Sequence, residues 1–521
     1  YARILKEAEA GGGGREAEIE RARKIWSQGF VAEAIDRFCT HEEVMDVSGQ
    51  RNRGLLRGDD LAKWQATIEA PLTYDYGRYT VCKAGPWSQS PVVLQQLALL
   101  KGFDLDGMDP TSPDFIHIVV EASKLAYADR EAFYGDPDFV DVPMQTLLSD
   151  AYNDDRRKLI DLQNASLDQR PGKVEGYGGV VKLFRADAQR LGVSASGAGE
   201  PTVGRVGQTN GDTVHFDVVD REGNMITATP SGGWLQSSPV IPELGFPLGT
   251  RGQMFWLEEG LPGSLKPGKR PRTTLTPTMA HRDGKPYMAW GSPGGDQQDQ
   301  WITQMFLRHV HCGMNLQEAI DAPAWHSEHF PSSFWPRTAR PGVLVLEGRV
   351  PAETVQELRR RGHEVEVNDD WSEGRLTAAT RDDPWRKAAA NPRGMQGYAA
   401  GSIIFHERHS GRIAIAVATK FFAVGARVPN IEPTKGAVCT QALTNPLYGP
   451  RGLRLVREGV GAADIVRLLI APDAGREHRQ VHVMGADGRF AAHTGAECVP
   501  WCGHWIGDDM SVAGNMLAGP Q

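Results

Sequence analysis

The stretch Gly211-Asp212-Thr213-Val214-His215-Phe216-Asp217-Val218-Val219-Asp220 ends a glycine-rich run and begins a segment of alternating apolar and polar residues. Alternate residues of a strand point to opposite faces, so this pattern predicts a half-buried strand. We expect the strand to begin directly at Thr213. The residues at 221–224 are typical of a turn, and the chain is then expected to return as a second strand over residues 225–229.

Thr213 is placed where a chain-terminal nucleophile would be useful. It follows a run, 192–211, that is rich in glycine and contains almost no large apolar residues, as a linker or a processing loop would be. If the Asp212–Thr213 bond were cut, the new α-amine, with an ordinary pKa of about 7.7–8.0, could take the proton of the threonine hydroxyl. The same hydroxyl could first attack the carbonyl of Asp212, so the protein would process itself. An ordinary strand threonine after a domain linker is the alternative interpretation.

Acyl transfer also needs hydrogen-bond donors for an oxyanion. Gly294 and Gly295 lie at a predicted strand-to-helix junction, where two backbone N–H groups near a helix start could serve. Gln253 could donate a hydrogen bond to a substrate carbonyl. Short hydroxyl residues that could position the nucleophile or the substrate are Ser231, Thr273 and Thr274. Each of these residues, taken alone, also fits a structural role.

Composition restricts the class of function. The chain has 521 residues, which predicts two to four domains, and its 40% hydrophobic and 23% charged residues are typical of a globular protein. The net charge of -8 and the absence of a Lys/Arg stripe argue against nucleic-acid and anionic-membrane partners. Six cysteines are too sparse for a disulfide framework. Cys498 and Cys502, with His493 nearby, form at most one half of a metal site, so we predict neither a metal nor another cofactor.

From about residue 26 to 400 the chain resembles the γ-glutamyltransferase family, especially its acylase-like branch. The stretches that carry the resemblance are LAYADREAFYGDPDF, GDTVHFDVVDREGNM, KRPRTTLTPTM, GSPGGDQQDQW, GMNLQEAIDAPAWH and NPRGMQGYAAG. The resemblance implies an α+β fold, the αββα sandwich of N-terminal nucleophile (Ntn) hydrolases, with self-cleavage into two subunits. It assigns the nucleophile to Thr213 and the supporting hydroxyl to Ser231. It also assigns the oxyanion glycines to Gly294 and Gly295 and substrate contacts to Gln253, Thr273 and Thr274.

Two positions depart from the family pattern. The acidic residue that grips the substrate α-amino group falls on Trp256, and an asparagine near the supporting hydroxyl falls on Gly233. The arginine that holds the substrate carboxylate would lie upstream of Tyr1. An apolar Trp256 favours a less polar acyl group, as in cephalosporin- or glutaryl-acylase-like enzymes. The other alternative is a binding or scaffold protein that has kept the fold and lost activity.

Residues 402–521 resemble a different family, one of unknown function that is itself regarded as Ntn-hydrolase-like. The matching stretches are VATKFFAVGARVP, TQALTNPLYGPRGL, GREHRQV, AAHTGAECVPWCGHW and SVAGNMLAGP. The threonine with which that family begins is absent at the join before Ser402. We therefore expect a large-subunit portion over 1–212, a small-subunit portion over 213–400, and a second, truncated Ntn-like αβ domain over 401–521.

These features together predict a self-processing amide hydrolase or acyltransferase that acts on γ-glutamyl or related acyl-amide compounds. Its partners would be a small-molecule amide and the two subunits of one precursor, with neither nucleic acid nor membrane. The oligomeric state stays open. We expect a cytoplasmic location. Because the start at Tyr1 suggests a chain truncated at its N-terminus, a periplasmic location stays open.

Overall fold

The structure, a computed structural model, describes most of the chain in two compact units, residues 1–391 and 392–521. The described residues are 1–45, 49–177, 213–220, 222–233, 238–334, 337–383, 385–391, 393, 402–407, 410–417, 428–499 and 502–515. The predicted processing loop at 192–211 and Asp212 lie outside them.

The helices and strands of the described residues follow in chain order. The α-helices are α1 (Ala2–Ala10), α2 (Arg15–Gln28), α3 (Phe30–His41), α4 (Gly58–Lys63), α5 (Pro91–Leu100), α6 (Pro113–Phe133), α7 (Met144–Leu147), α8 (Asp150–Arg157), α9 (Gln298–Val310), α10 (Leu316–Asp321), α11 (Ala352–Arg360), α12 (Tyr448–Arg457) and α13 (Ala462–Ile470). The strands are β1 (Val44–Met45), β2 (Arg51–Asn52), β3 (Leu72–Tyr76), β4 (Tyr79–Lys83), β5 (Phe216–Val219), β6 (Met225–Ala228), β7 (Val240–Ile241), β8 (Phe246–Pro247), β9 (Thr278–Arg282), β10 (Lys285–Gly291), β11 (Trp325–Ser327), β12 (Val343–Leu346), β13 (Glu364–Val367), β14 (Thr377–Asp382), β15 (Trp385–Ala390), β16 (Ser402–Glu407), β17 (Arg412–Val417), β18 (Pro429–Glu432), β19 (Gly436–Ala442), β20 (Arg479–Met484), β21 (Phe490–Thr494), β22 (Gly503–Ile506) and β23 (Met510–Gly514).

An antiparallel six-stranded sheet, in the order β15-β14-β10-β9-β4-β3, forms the centre of the first unit. Helices α5 and α9 contact this sheet and each other, and α6 packs against α5. Every residue of α5 is buried, which explains why its sequence is apolar except for Gln95 and Gln96 rather than along one stripe only. The fully buried Trp290 of β10 stacks on Phe306 of α9, with ring centroids 5.2 Å apart. Alternation along β10 then turns its neighbour Gly291 to the opposite face.

The hairpin β5–β6 packs against β10 and β14 of this sheet. The expectation that the strand begins at Thr213 is wrong, because the ladder begins at Phe216, paired with Ala228. Residues 213–215 are instead held by the Val214 N–H, which donates to the Pro230 carbonyl, and by side-chain hydrogen bonds.

The first strand of this hairpin exposes its apolar face and buries its polar face. Val214, Phe216 and Val218 share a face, as the alternation predicts, and they are 49%, 46% and 51% exposed. The buried face carries the polar side chains of His215 and Asp217. A half-buried strand normally buries its apolar face, so the sequence pattern alone would assign the wrong face to the core.

The remaining strands of the first unit include a three-stranded sheet, β11-β12-β13. Strands β12 and β13 are parallel and are joined through α11, as a parallel pair requires. No helix of the described residues is long and apolar enough to span a bilayer.

The second unit contains two four-stranded antiparallel sheets, β17-β16-β23-β22 and β18-β19-β20-β21. Strands β20 and β21 contact β22 and β23 across the interior, and α12 and α13 pack against the sheet of β18–β21. Val438, Val481 and Val483 of this sheet form a buried cluster with Val456 and Ile465 of the helices. This unit is therefore a layered αβ structure with its own core.

Candidate functional site

Thr213 and Ser231 lie in direct contact, one on each side of the hairpin. Thr213 is 7% exposed, and its Oγ1 donates a hydrogen bond to Ser231 Oγ at 2.8 Å. Ser231 Oγ also accepts the N–H of Gly233 at 3.1 Å. An acceptor on the threonine hydroxyl increases the electron density on its oxygen, which is useful in a nucleophile.

The segment that follows the hairpin brings Gln253 toward the same residues. The Thr250 N–H donates to the Gly232 carbonyl at 2.7 Å, and the short 3₁₀ helix Arg251–Met254 begins there. Gln253 is held on Thr250 through its backbone N–H and through its side-chain amide, at 3.1 Å and 3.4 Å. Gly233 has φ +87°, and a Cβ at this position would lie 2.7 Å from Thr250 Oγ1. The departure from the family's asparagine at 233 is thus accompanied by a close approach of the 250 segment.

Thr273 and Thr274 make hydrogen bonds to different segments. The backbone of Thr273 pairs with the loop before α5, through Trp87 and Gln89, and its hydroxyl accepts the N–H of Leu275 at 2.9 Å. Thr274 is buried, and its Oγ1 accepts a hydrogen bond from the Arg251 guanidinium at 3.4 Å. Arg251, which sequence reasoning missed, therefore connects Thr274 to the segment that carries Gln253.

Gly294 and Gly295 form the link between β10 and α9. Their φ angles are +130° and +53°, values that favour glycine, and a Cβ on Gly294 would lie 2.5 Å from the Trp301 ring. The Gly295 carbonyl accepts the side-chain amide of Gln89 at 3.1 Å. A 3₁₀ turn, Gly295–Gln297, then leads into α9, so these two amides lie at the positive end of a helix.

Asp296 anchors this turn in a buried ionic network. Its carboxylate accepts hydrogen bonds from Arg130 and from the backbone and hydroxyl of Ser333, the last two at 2.7 Å and 2.6 Å. Burial disfavours the ionised carboxylate, but Arg130 and Ser333 outweigh this effect and hold the pKa of Asp296 below its ordinary value. Arg130 of α6 thus takes part in the support of the glycine turn.

A buried lysine and aspartate lie between the 273–278 segment and α9. Lys83 donates to the Thr276 carbonyl at 3.1 Å and to Thr278 Oγ1 at 2.7 Å, and its Nζ is 3.5 Å from Asp299 Oδ1. Burial lowers the pKa of Lys83 to about 8 and raises the pKa of Asp299 to about 6, because both charged forms lose hydration. This pair connects the strand that follows Thr274 to the helix that follows Gly295.

Trp256 lies against a buried arginine. The Arg337 guanidinium carbon is 4.0 Å from the centroid of the Trp256 ring, and Arg337 donates to the carbonyls of Met254 and Phe255 at 2.8 Å each. Burial lowers the pKa of Arg337 to about 10, which still leaves it charged at neutral pH. The carboxylates of Glu131 and Asp296 oppose this lowering of the pKa of Arg337. Arg337 also has an unusual φ of +62°, and no sequence pattern indicated this residue.

The structure therefore brings Thr213 together with Ser231. It links Gln253 to Thr250 and Thr274 to Arg251 by hydrogen bonds. It also places Trp256 beside Arg337. Among the described residues no group of three or more His, Cys, Asp or Glu side chains is arranged to hold a metal ion.

Comparisons with known proteins identify the families to which the chain is similar. Residues 15–401 match the family described as "Gamma-glutamyltranspeptidase", and residues 401–521 match the "Family of unknown function (DUF1028)". The chain is 31% identical over 389 residues to the "Glutathione hydrolase-like YwrD proenzyme" of Bacillus subtilis (strain 168), covering 73% of this chain and 63% of that protein.

Two solved structures share the fold of the first unit. The one titled "Structure of LmbA2991HD" has 53% sequence identity and a TM-score of 0.66, covering 76% of this chain and 66% of that one. The cephalosporin acylase from Bacillus halodurans has 27% identity and a TM-score of 0.56, covering 73% and 60%. The chain spans from about half to somewhat under two thirds of the length of curated relatives that it matches, 50% and 63% in two cases.

Proposed function

The chain belongs to the gamma-glutamyltranspeptidase family, with the α+β Ntn-hydrolase fold that its sequence predicts, and from this premise we propose that it is a self-processing amide hydrolase or acyltransferase with Thr213 as nucleophile. The observation that carries the proposal is the buried Thr213 hydroxyl, which donates to Ser231 at 2.8 Å. Relatives that are named proenzymes support the processing step. The precursor would divide into portions 1–212 and 213–400, with 401–521 as a separate Ntn-like domain.

Processing and turnover use the same oxygen. In the first reaction the Thr213 hydroxyl attacks the carbonyl of Asp212, and the peptide bond becomes an ester with a free α-amine. Water hydrolyses this ester and leaves Thr213 as a chain terminus. In the second reaction the hydroxyl attacks the substrate amide while its proton passes to the α-amine and then to the leaving amine. Water or an acceptor amine finally takes the acyl group and restores the hydroxyl.

The oxyanion of each step would be stabilised by the backbone amides of Gly294 and Gly295. Their place at the start of α9 adds the positive end of a helix dipole. Gln253, Thr273, Thr274 and Trp256 would contact the substrate, and the acyl compound is a γ-glutamyl amide or a related one.

A second candidate, a cephalosporin- or glutaryl-acylase-like hydrolase, is favoured by the pair of Trp256 and Arg337. If Trp256 contacts the substrate, the Arg337 guanidinium 4.0 Å from its ring would disfavour a substrate ammonium group at this position. The similarity to the Bacillus halodurans cephalosporin acylase supports the same candidate. An acyl group without an α-amine would fit beside Trp256 better than a γ-glutamyl group.

Intact-mass analysis and N-terminal sequencing of the purified full-length protein test the proposal. We expect two fragments with a new terminus at Thr213, and hydrolysis of γ-glutamyl- or glutaryl-p-nitroanilide. The Thr213→Ala variant should stay one chain and hydrolyse neither anilide. An unprocessed wild-type chain without turnover would instead favour a scaffold protein that has kept the fold.

A further inference from the structure

The imidazole of His215 is a buried junction of four segments. Its Nδ1 lies 2.7 Å from Thr229 Oγ1, and its Nε2 lies 3.0 Å from Asp217 Oδ1. Asp217 in turn accepts a hydrogen bond from Thr377 Oγ1 of β14 at 2.8 Å. The side chains of His215 and Asp217 are 0% and 2% exposed. The ring therefore joins the start of the hairpin, its return strand and the central sheet.

The fourth segment is the end of β10. A Cβ built on Gly291 would overlap the Cε1 atom of the His215 ring, so the glycine makes room for the imidazole against the β10 backbone. Gly291 is three residues before Gly294, and His215 is two residues after Thr213. The imidazole is thus packed between the nucleophile's strand and the strand that leads to the predicted oxyanion amides.

Thr213 depends on this junction because it lies outside the hairpin ladder, which begins at Phe216. Once the chain is cut before Thr213, no covalent bond holds the residue from its N-terminal side. Its position then rests on the Val214 N–H bond to Pro230, on the Ser231 hydroxyl and on the residues that follow it. His215 is the nearest of these with a side chain bonded to other segments.

We propose that His215 is a positioning residue, which holds the Thr213 hydroxyl at the correct distance from the amides of Gly294 and Gly295. This inference rests on the proposed role of Thr213 and adds a residue to it. A displacement of about 1 Å at a reacting atom can lower a rate by about 100-fold, so the imidazole controls kcat without touching the substrate. Asp217 orients the ring and Thr377 orients Asp217.

Four variants of the full-length protein test the proposal. His215→Ala removes the junction, and His215→Gln keeps an amide N–H for Asp217. Gly291→Ala retains every polar group and displaces the ring, and the fourth variant combines His215→Ala with Gly291→Ala. The measurements are the rate of processing by intact mass, kcat and KM for the p-nitroanilide that the wild type hydrolyses, and the melting temperature. His482→Gln is the matched control, since His482 is a buried strand histidine bonded to the Ser511 hydroxyl at 2.9 Å in the other unit.

We expect His215→Ala and Gly291→Ala each to lower kcat by about 100-fold with KM changed by less than about threefold, and to slow processing in parallel. His215→Gln should recover at least about a tenth of wild-type kcat, and the control should match the wild type. The double variant should be no slower than His215→Ala alone, because the added methyl acts through the ring that is then missing.

Folded His215→Ala or Gly291→Ala protein with kcat and processing within about twofold of wild type would overturn the proposal, as would full additivity in the double variant. If His215→Ala fails to fold, His215→Gln and Gly291→Ala decide the question alone. A wild-type chain that never yields a terminus at Thr213 would refute the proposed function and this inference together. Normal wild-type processing with normal variants would refute only the inference.

Discussion

Replacing Ser231 by Ala tests whether the contact with Thr213 matters to the chemistry. The change removes the acceptor that lies 2.8 Å from Thr213 Oγ1 and also the acceptor of the Gly233 N–H. A partly buried hydrogen bond of this kind contributes about 1–2 kcal/mol, so both processing and acyl turnover should slow by about 5- to 30-fold. The fold should survive, because the deletion of one hydroxyl leaves only a small cavity.

The assay follows the appearance of the small fragment by intact mass after synthesis of the full-length protein, with p-nitroanilide hydrolysis measured on the processed product. Ser231→Thr retains a hydroxyl and should keep more of the rate than Ser231→Ala. Ser327→Ala is the control, since it removes another serine hydroxyl, one that donates to the Val343 carbonyl at 3.1 Å and has no contact with Thr213. Processing of Ser231→Ala at the wild-type rate would refute the assignment of Ser231 as the supporting hydroxyl.

Other predictions concern the glycine turn at Gly294, the buried His326 and the candidate substrate contact Trp256. Gly294→Ala should lower the melting temperature and abolish turnover, because its φ of +130° and the Trp301 ring 2.5 Å from the added Cβ both oppose a side chain; a thermal melt and an anilide assay check this. Burial disfavours a charged His326, but Glu373 at 2.7 Å outweighs this effect and raises the pKa of His326 to about 10. The stabilisation that protonated His326 gives the folded state is complete below about pH 6.5 and is lost as the pH rises through about 10. The free energy of unfolding should therefore fall by up to about 5 kcal/mol over that range. In denaturant titrations, the His326→Gln variant should show a smaller decline. Trp256→Asp should shift the ratio of kcat/KM for γ-glutamyl- over glutaryl-p-nitroanilide upward by about tenfold, since a carboxylate there favours a substrate ammonium; an unchanged ratio would show that this residue does not face the acyl group.

The structure differs most clearly from the sequence-based expectation at the hairpin of residues 213–229. Alternation predicted the faces of its first strand, but it could not show that the polar face is the buried one. That outcome depends on partners such as Thr377 and Gly291, which are distant in sequence and offer a hydroxyl and an open space to His215 and Asp217. The same limit applies to the start of the strand, which lies at Phe216 because side-chain bonds replace the ladder before it.

Arg337 is a second residue whose position could not be predicted from the sequence. Nothing in its neighbourhood of the sequence marks it, since a lone arginine after a proline is typical of any surface loop. Its burial over Trp256 follows from the meeting of two loops about eighty residues apart, and electrostatic effects of this kind are visible only when the distances are known.

The sequence by itself determined the family and the Ntn class, because several of its stretches resemble those of a known family. It also supplied the residues proposed for chemistry, because glycine pairs and hydroxyl positions are visible in consecutive residues. Only the tertiary structure decided which of those residues meet. Ser231 contacts Thr213 across a hairpin, Arg251 contacts Thr274 from a different loop, and His215 fits against Gly291 where the hairpin packs on the central sheet. The physical reason is that such contacts depend on the packing of segments that share no local pattern, and close packing, unlike periodicity, is a property of the folded chain as a whole.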